Sequence, residues 1–153
     1  MRLSAKSEYG LLAMIDLAQS ADSSPTSARE ISTRQEIPVK FLEQLLVALR
    51  RAGLVQGVRG ARGGFILSRD ARDISVLDVV EALEGPLTTT VCDAERASVC
   101  GKSGMCAASG VWNEATKALK DVFRNRSVAD LARDQIAIDD SKVVVAHERE
   151  GQA

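Results

Sequence analysis

The first fifty positions alternate between apolar residues at helical spacing and residues that stop helices. Leu11, Leu12, Ile15 and Ala18 fall three and four apart and predict a helix from Ser4 to Ser20, which "ADSSP" then interrupts. Ser27-Ala-Arg-Glu30 is a capping box and predicts a short helix ending near Gln35. Pro38 suits the first turn of a third helix, which runs to about Ala52 with Phe41, Leu42, Leu45, Leu46 and Leu49 turned inward. Gly53 stands where a left-handed residue closes a helix. Two short strand-like runs follow, "LVQGV" and "GFIL". The flexible, basic "RGARGG" between them reads as a hairpin tip.

A second capping box, Ser75-Val-Leu-Asp78, opens the helix "VLDVVEALE", closed at Gly85. From about Pro86 to Met105 no periodicity survives, and an irregular stretch of that length in a small domain is usually functional or disordered. A long helix is expected from Ala107 to about Arg124. Its stripe is Val111, Ala115, Leu119 and Val122, flanked by Trp112 and Phe123. Ser127-Val-Ala-Asp130 caps a last short helix. The expected organisation is mainly α with a small β-hairpin: a winged helix-turn-helix DNA-binding domain over 1–85, a cysteine-bearing loop over 86–106, a long helix and a short helix over 107–135, and a flexible tail over 136–153.

Helix, short helix, tight turn ("QEIP"), helix and basic hairpin is the order of a winged helix-turn-helix. The second helix of such a pair fits the major groove, which would turn Val39, Lys40, Glu43 and Gln44 toward base edges. Glutamate there can accept from cytosine, and glutamine can pair with adenine. The wing would bring Arg59 and Arg62 to phosphates or into a narrow minor groove, with Gly63 among the glycines that let its backbone come close. Arg2, Ser27 and Arg50 complete the expected DNA contacts. A helix-turn-helix used for protein contacts is the competing reading. A phosphate-cradling enzyme loop is a poorer one, because "RGARGG" has neither dinucleotide-binding nor Walker spacing.

Charge changes the picture only through its distribution. The chain's net charge is −1, yet residues 1–72 hold eleven Lys/Arg against seven Asp/Glu, while residues 73–153 hold nine against fourteen. A basic half joined to an acidic half points to an anionic partner for the first half. No stretch approaches the ~20 apolar residues of a membrane span, and Glu8 and Asp16 interrupt the N-terminal apolar run as no secretory signal would. A cytoplasmic protein with no membrane partner is expected.

All three cysteines, Cys92, Cys100 and Cys106, lie in "VCDAERASVCGKSGMC". Clustered thiols in a reducing compartment more often bind metal or sense redox state than form structural disulfides. Thiolates suit iron–sulfur clusters and zinc. The spacing lacks the C-x-x-C of zinc ribbons. An iron–sulfur cluster, a zinc site and free redox thiols all stay open on spacing alone. A cluster typically takes four protein ligands, and only three cysteines exist.

"MRLSAKSEYGLLAMIDLA", "FLEQLLVALRRAGLV", "VRGARGGF" and "ISVLDVVEALEG" together resemble the bacterial winged-helix regulators of the iron–sulfur cluster-biogenesis type (IscR-like and NsrR-like), over about residues 1–135. The resemblance implies a homodimer paired through the long helix after the cysteine loop. It also implies an iron–sulfur cluster, 2Fe–2S or 4Fe–4S, held by Cys92, Cys100 and Cys106. In the cluster-biogenesis branch a histidine lies three residues after the last cysteine; here that residue is Ser109, and the sole histidine is His147. The nitric-oxide-sensing branch uses a carboxylate near the N-terminus of the partner subunit, and the matching residue is Glu8. Asp93, Glu95 or an exogenous ligand is next in line.

The function expected is a dimeric transcriptional repressor that binds a palindromic operator, gated by a cluster that senses iron, nitric oxide or redox state. A cluster-independent thiol or zinc regulator and a protein-interaction module are the alternatives. An enzyme is not expected, for want of any recognisable triad, nucleophile elbow or phosphate loop.

Overall fold

Capping chemistry sets the helix starts. In the computed structural model, which describes residues 3–20, 24–88 and 106–150, α1 (Ala5–Gln19) begins at Ser4, whose hydroxyl accepts from the Lys6 N–H. Both predicted capping boxes form. Ser27 and Glu30 start α2 (Ala28–Gln35), and Ser75 and Asp78 start α4 (Val76–Glu84). Between α2 and α3 (Val39–Arg51) the chain turns at Glu36, whose φ of 54° is the one positive value among described non-glycine residues. The turn is held by the Ile37 N–H donating to the Ser32 carbonyl and the Ser32 hydroxyl donating back to the Ile37 carbonyl at 2.6 Å. Pro38 sits one place earlier than expected, as the N-cap, where its carbonyl accepts from the Phe41 and Leu42 N–H groups.

Strands β1 (Val55–Val58) and β2 (Gly64–Leu67) form an antiparallel hairpin with Val55 opposite Leu67 and Val58 opposite Gly64. A third segment joins it: Thr26 and Phe65 exchange both backbone hydrogen bonds, at 3.0 and 2.8 Å. The wing is thereby fixed to the start of α2. Gly64 is required at this junction, since a Cβ there would lie 2.5 Å from the Thr26 backbone.

The main core lies among α1, α3 and α4, with Met14, Leu42, Leu46, Leu49 and Val79 fully buried. A short 3₁₀ turn (Ala71–Asp73) leads into α4. The helix α5 (Ala107–Arg124) packs on α4 through a second cluster in which Leu119 and Phe123 meet Val76, Leu77, Val80 and Leu87. The expected stripe therefore does not face one way. Leu119 turns inward, whereas Val111 and Val122 are each 61% exposed and Ala115 is exposed with them. At 100° per residue Val111, Ala115, Ala118 and Val122 share one face, and Thr116, Leu119 and Phe123 share another roughly 100° away.

Ser127 and Asp130 cap α6 (Val128–Glu150) as predicted. This helix has 23 residues and is not the short one expected. The sequence explains the difference, because no glycine or proline occurs between Val128 and Glu150, and Gly151 follows. Its first turns return to the N-terminal core: Val128 is buried there, and the Val76 N–H donates to the Arg126 carbonyl while the Val128 N–H donates to the Ile74 carbonyl, both at 2.8 Å. Among the described residues no helix is long and apolar enough to cross a membrane.

Candidate functional site

Exposure of α3 follows from its amphipathic pattern. With Leu42, Leu45, Leu46 and Leu49 buried, the opposite face presents Val39, Lys40, Glu43 and Gln44 to solvent. The groove on this face has a volume of about 570 Å³ and is lined by Lys40, Glu43, Gln44, Val47 and Arg51. Val47 and Arg51 were not among the expected contacts. They continue the exposed line from Lys40 and Gln44 by three and four residues, so the periodicity held the signal. Arg50 is exposed at the edge of this helix, with Nη1 beside Gly57 of β1.

At the hairpin tip Arg59 and Arg62 are exposed. Gly60 has φ 119°, and the Gly63 N–H donates to its carbonyl at 2.9 Å. A Cβ on Gly63 would stand 2.4 Å from the Val58 carbonyl oxygen, so the missing side chain is needed to fold the tip itself. Ser27 is half-buried at the start of α2. Its N–H and its hydroxyl both donate to the Glu30 carboxylate, at 2.8 and 2.7 Å. Arg2 lies outside the described residues.

Of the described arginine side chains outside α3 and the wing, all but Arg29 are ion-paired, and Lys6 and Lys117 also lack a salt bridge. Arg34, Arg69, Arg72, Arg124, Arg126 and Arg133 each form a salt bridge. Lys40, Arg50, Arg51, Arg59 and Arg62 form none among the described residues, and all five are exposed on α3 and the wing. Five unpaired cations on one surface, with Glu43 the one described carboxylate lining the α3 groove among them, are the electrostatic footprint of a polyanion site.

Two contacts tie α1 to the helix-turn-helix, one to α3 and one to α2. Tyr9 meets Phe41 edge to face. Asp16, 4% exposed, accepts from Arg34 Nε at 2.9 Å, from Arg34 Nη2 at 2.6 Å and from Gln35 Nε2 at 3.1 Å. The bidentate bond raises the Arg34 pKa further above its ordinary range.

Of the expected metal ligands, Cys106 is the N-cap of α5, half-buried and not in a disulfide. Glu8 is exposed in the first turns of α1. Cys92, Cys100, Asp93 and Glu95 lie outside the described residues, and among the described residues no three potential ligands are brought together. Ser109, at the position of the histidine in one branch, donates its hydroxyl to the Cys106 carbonyl at 2.6 Å. His147 falls in the C-terminal part of α6.

Residues 3–134 match the family Rrf2, described as an iron-dependent transcriptional regulator. The chain is 39% identical over 134 residues to protein rrf2 of Nitratidesulfovibrio vulgaris Hildenborough, covering 88% of this chain and 89% of that one. The fold is similar to the solved structure of T. potens IscR, with TM-score 0.71 and 37% identity over 88% of each chain. It is also similar to CymR (YrzC), the global cysteine regulator of B. subtilis, with TM-score 0.74 and 32% identity over 87% of this chain and 97% of that one. A winged helix-turn-helix with exposed, unpaired cations on α3 and the wing, matched over most of its length to transcriptional regulators, belongs to the Rrf2 family of DNA-binding transcriptional regulators.

Proposed function

We propose that this regulator is a homodimeric repressor whose operator affinity is gated by an iron–sulfur cluster. The observation that carries the DNA-contacting surface is the concentration of five exposed, unpaired cations on α3 and the wing. In this reading Val39, Lys40, Glu43 and Gln44 face base edges in the major groove, joined by Val47 and Arg51. Arg59 and Arg62 reach phosphates or the adjacent minor groove, while Arg2, Ser27, Arg50 and the backbone at Gly63 lie along the sugar–phosphate strand. The exposed face Val111, Ala115, Ala118 and Val122 of α5 supports pairing with a second copy, which would present two recognition helices to a palindromic site.

The donor set fits an iron–sulfur cluster: three thiolates and a carboxylate, with Cys106 free and half-buried at a helix N-cap and Glu8 exposed to a second subunit. Cys92, Cys100 and Cys106 of one chain would hold it with Glu8 of the partner subunit. When bound, the cluster supplies a labile tie between subunits that responds to iron, nitric oxide or redox state. Ser109 is turned to the Cys106 carbonyl, which supports its exclusion from the ligand set. Because α1 carries Glu8 and packs on α3 through Tyr9, the position of α1 bears directly on the recognition helix.

The test is an anaerobic measurement of iron, sulfide and absorption on wild type, Cys106→Ser and Glu8→Ala, with binding to a palindromic duplex recovered by in vitro selection. Wild type is expected to hold iron and sulfide, Cys106→Ser to lose them, and Glu8→Ala to shift the spectrum. An unchanged Glu8→Ala spectrum removes Glu8 from the set, and equal operator affinity with and without the cluster removes the gating. For the DNA face, Arg59→Ala should lower the slope of log affinity against log salt by about 1.

Likeness to a global cysteine regulator favours one second reading, in which the thiols themselves are the sensor. It predicts iron-free protein whose operator affinity changes on oxidation and returns with reductant.

A further inference from the structure

Four polar groups converge where α4 ends. Glu84, its last residue, accepts three hydrogen bonds on Oε1: from the Ser4 N–H at 3.1 Å, from the Ser4 hydroxyl, and from the Ser7 hydroxyl at 2.7 Å. Ser7 is 1% exposed, so its hydroxyl has left water to make this contact. Ser4 is the N-cap of α1, and the Glu8 N–H donates to its carbonyl. One turn back on α4, Glu81 Oε1 accepts from the Leu87 N–H at 3.0 Å and lies 3.5 Å from Lys120 Nζ of α5. Leu87 is buried and roots the cysteine-bearing segment, which leaves α4 through Gly85.

The placement of this charge is informative. A carboxylate at a helix C-terminus opposes the helix dipole, whereas one at an N-terminus complements it. Glu84 is therefore poorly placed for α4 and well placed for α1. Its contribution lies in the junction between the two helices.

We infer that Glu84 is a positioning residue: it holds the first turn of α1, and with it Glu8, in register with the root of the cysteine-bearing segment, so that displacement of that root is transmitted to α1 through the last turn of α4. The regulatory consequence rests on the cluster-gated reading above; the mechanical coupling does not.

The experiment uses the full-length chain with Glu84→Gln, Leu87→Ala and the double variant. Thermal melting first establishes that each folds. Amide hydrogen exchange of residues 5–10 is then measured on chelator-treated protein. Leu87→Ala and Glu84→Gln should each speed exchange of the first turn of α1 about tenfold, and the double variant should exchange no faster than Glu84→Gln alone. Multiplicative effects, or no effect of Leu87→Ala on α1, overturn the coupling. In the anaerobic, iron-loaded protein, Glu84→Gln should bring the ratio of operator affinities before and after iron removal close to one at unchanged iron content. A wild-type ratio retained in Glu84→Gln also overturns the proposal. If wild type itself shows no ratio, the cluster-gated reading fails, and the exchange cycle still decides the role of Glu84. Should Glu84→Gln not fold, Ser7→Ala replaces it in the same cycle with the same two outcomes.

Discussion

The rings of Tyr9 and Phe41 meet edge to face, with centroids 5.8 Å apart and planes at 80°. Each is flanked by a residue of the proposed mechanism, Glu8 before Tyr9 and Lys40 before Phe41. Replacing Tyr9 by leucine keeps apolar bulk and removes the ring geometry, which is worth about 0.5–1.5 kcal/mol. Urea denaturation should show a loss of that size with the m-value unchanged. Operator affinity should fall as well, because α3 loses a lateral support.

The Asp16–Arg34 pair is asymmetric, with the carboxylate buried and the guanidinium half in water. Arg34→Met leaves Asp16 buried with Gln35 as its remaining partner and should cost about 3 kcal/mol. Asp16→Asn added to that variant should recover part of the loss, since the stranded charge is then gone. Equilibrium unfolding of the three proteins checks both statements.

Gly64→Ala places a methyl group against the Thr26 backbone, which cannot move without breaking the Thr26–Phe65 hydrogen bonds. The expected cost is about 1–3 kcal/mol, with faster exchange of the Phe65 amide. Gly63→Ala should instead distort only the tip. Its signature is weaker DNA binding at nearly unchanged melting temperature.

Acid should loosen two junctions. Glu84 is held below its ordinary 4.5 by the Ser4 hydroxyl, then by the Ser7 hydroxyl and the Ser4 N–H. Asp130 is held below 3.8 by the Ser127 N–H and hydroxyl. Both carboxylates bind protons less readily in the folded chain than in the unfolded one. Their stabilisation is therefore whole above the unfolded pKa and is lost as pH falls through the lower folded value. Melting temperature should decline from about pH 4.5 downward, and less steeply in Glu84→Gln.

Val111→Glu or Val122→Glu introduces charge onto a face that is already in water in the single chain. Each should leave the monomer's helical signal intact and weaken self-association at least about tenfold in sedimentation velocity. Unchanged association would place the dimer contact elsewhere.

How much of this was legible in the sequence depended on distance along the chain. Capping boxes at Ser27, Ser75 and Ser127 involve residues three apart, and all three form where the pattern puts them. The hairpin was legible because glycines bracket its tip. Contacts between distant residues were not: nothing local marks Thr26 as a partner of Phe65, or Glu84 as a partner of Ser4. The α5 stripe failed for a related reason, since that helix has two apolar faces and periodicity alone merges them. Glu36 in the left-handed region broke the usual preference for glycine or asparagine, and the Ser32–Ile37 bonds on either side hold it there. Among the proposed site residues, those on α3 followed from helical period, while the unpaired state of their charges needed coordinates.

The paired hydrogen bonds between Ile74–Val76 and Arg126–Val128 have a consequence for how such a regulator diversifies. They close the chain between Val76 and Arg126 on itself, with α4 and α5 packed together inside that loop. With both ends pinned, doubling the length of such a loop costs only about 0.6 kcal/mol in closure entropy. Changes of length in the segment that joins α4 to α5 should therefore leave the recognition helix and wing with their geometry.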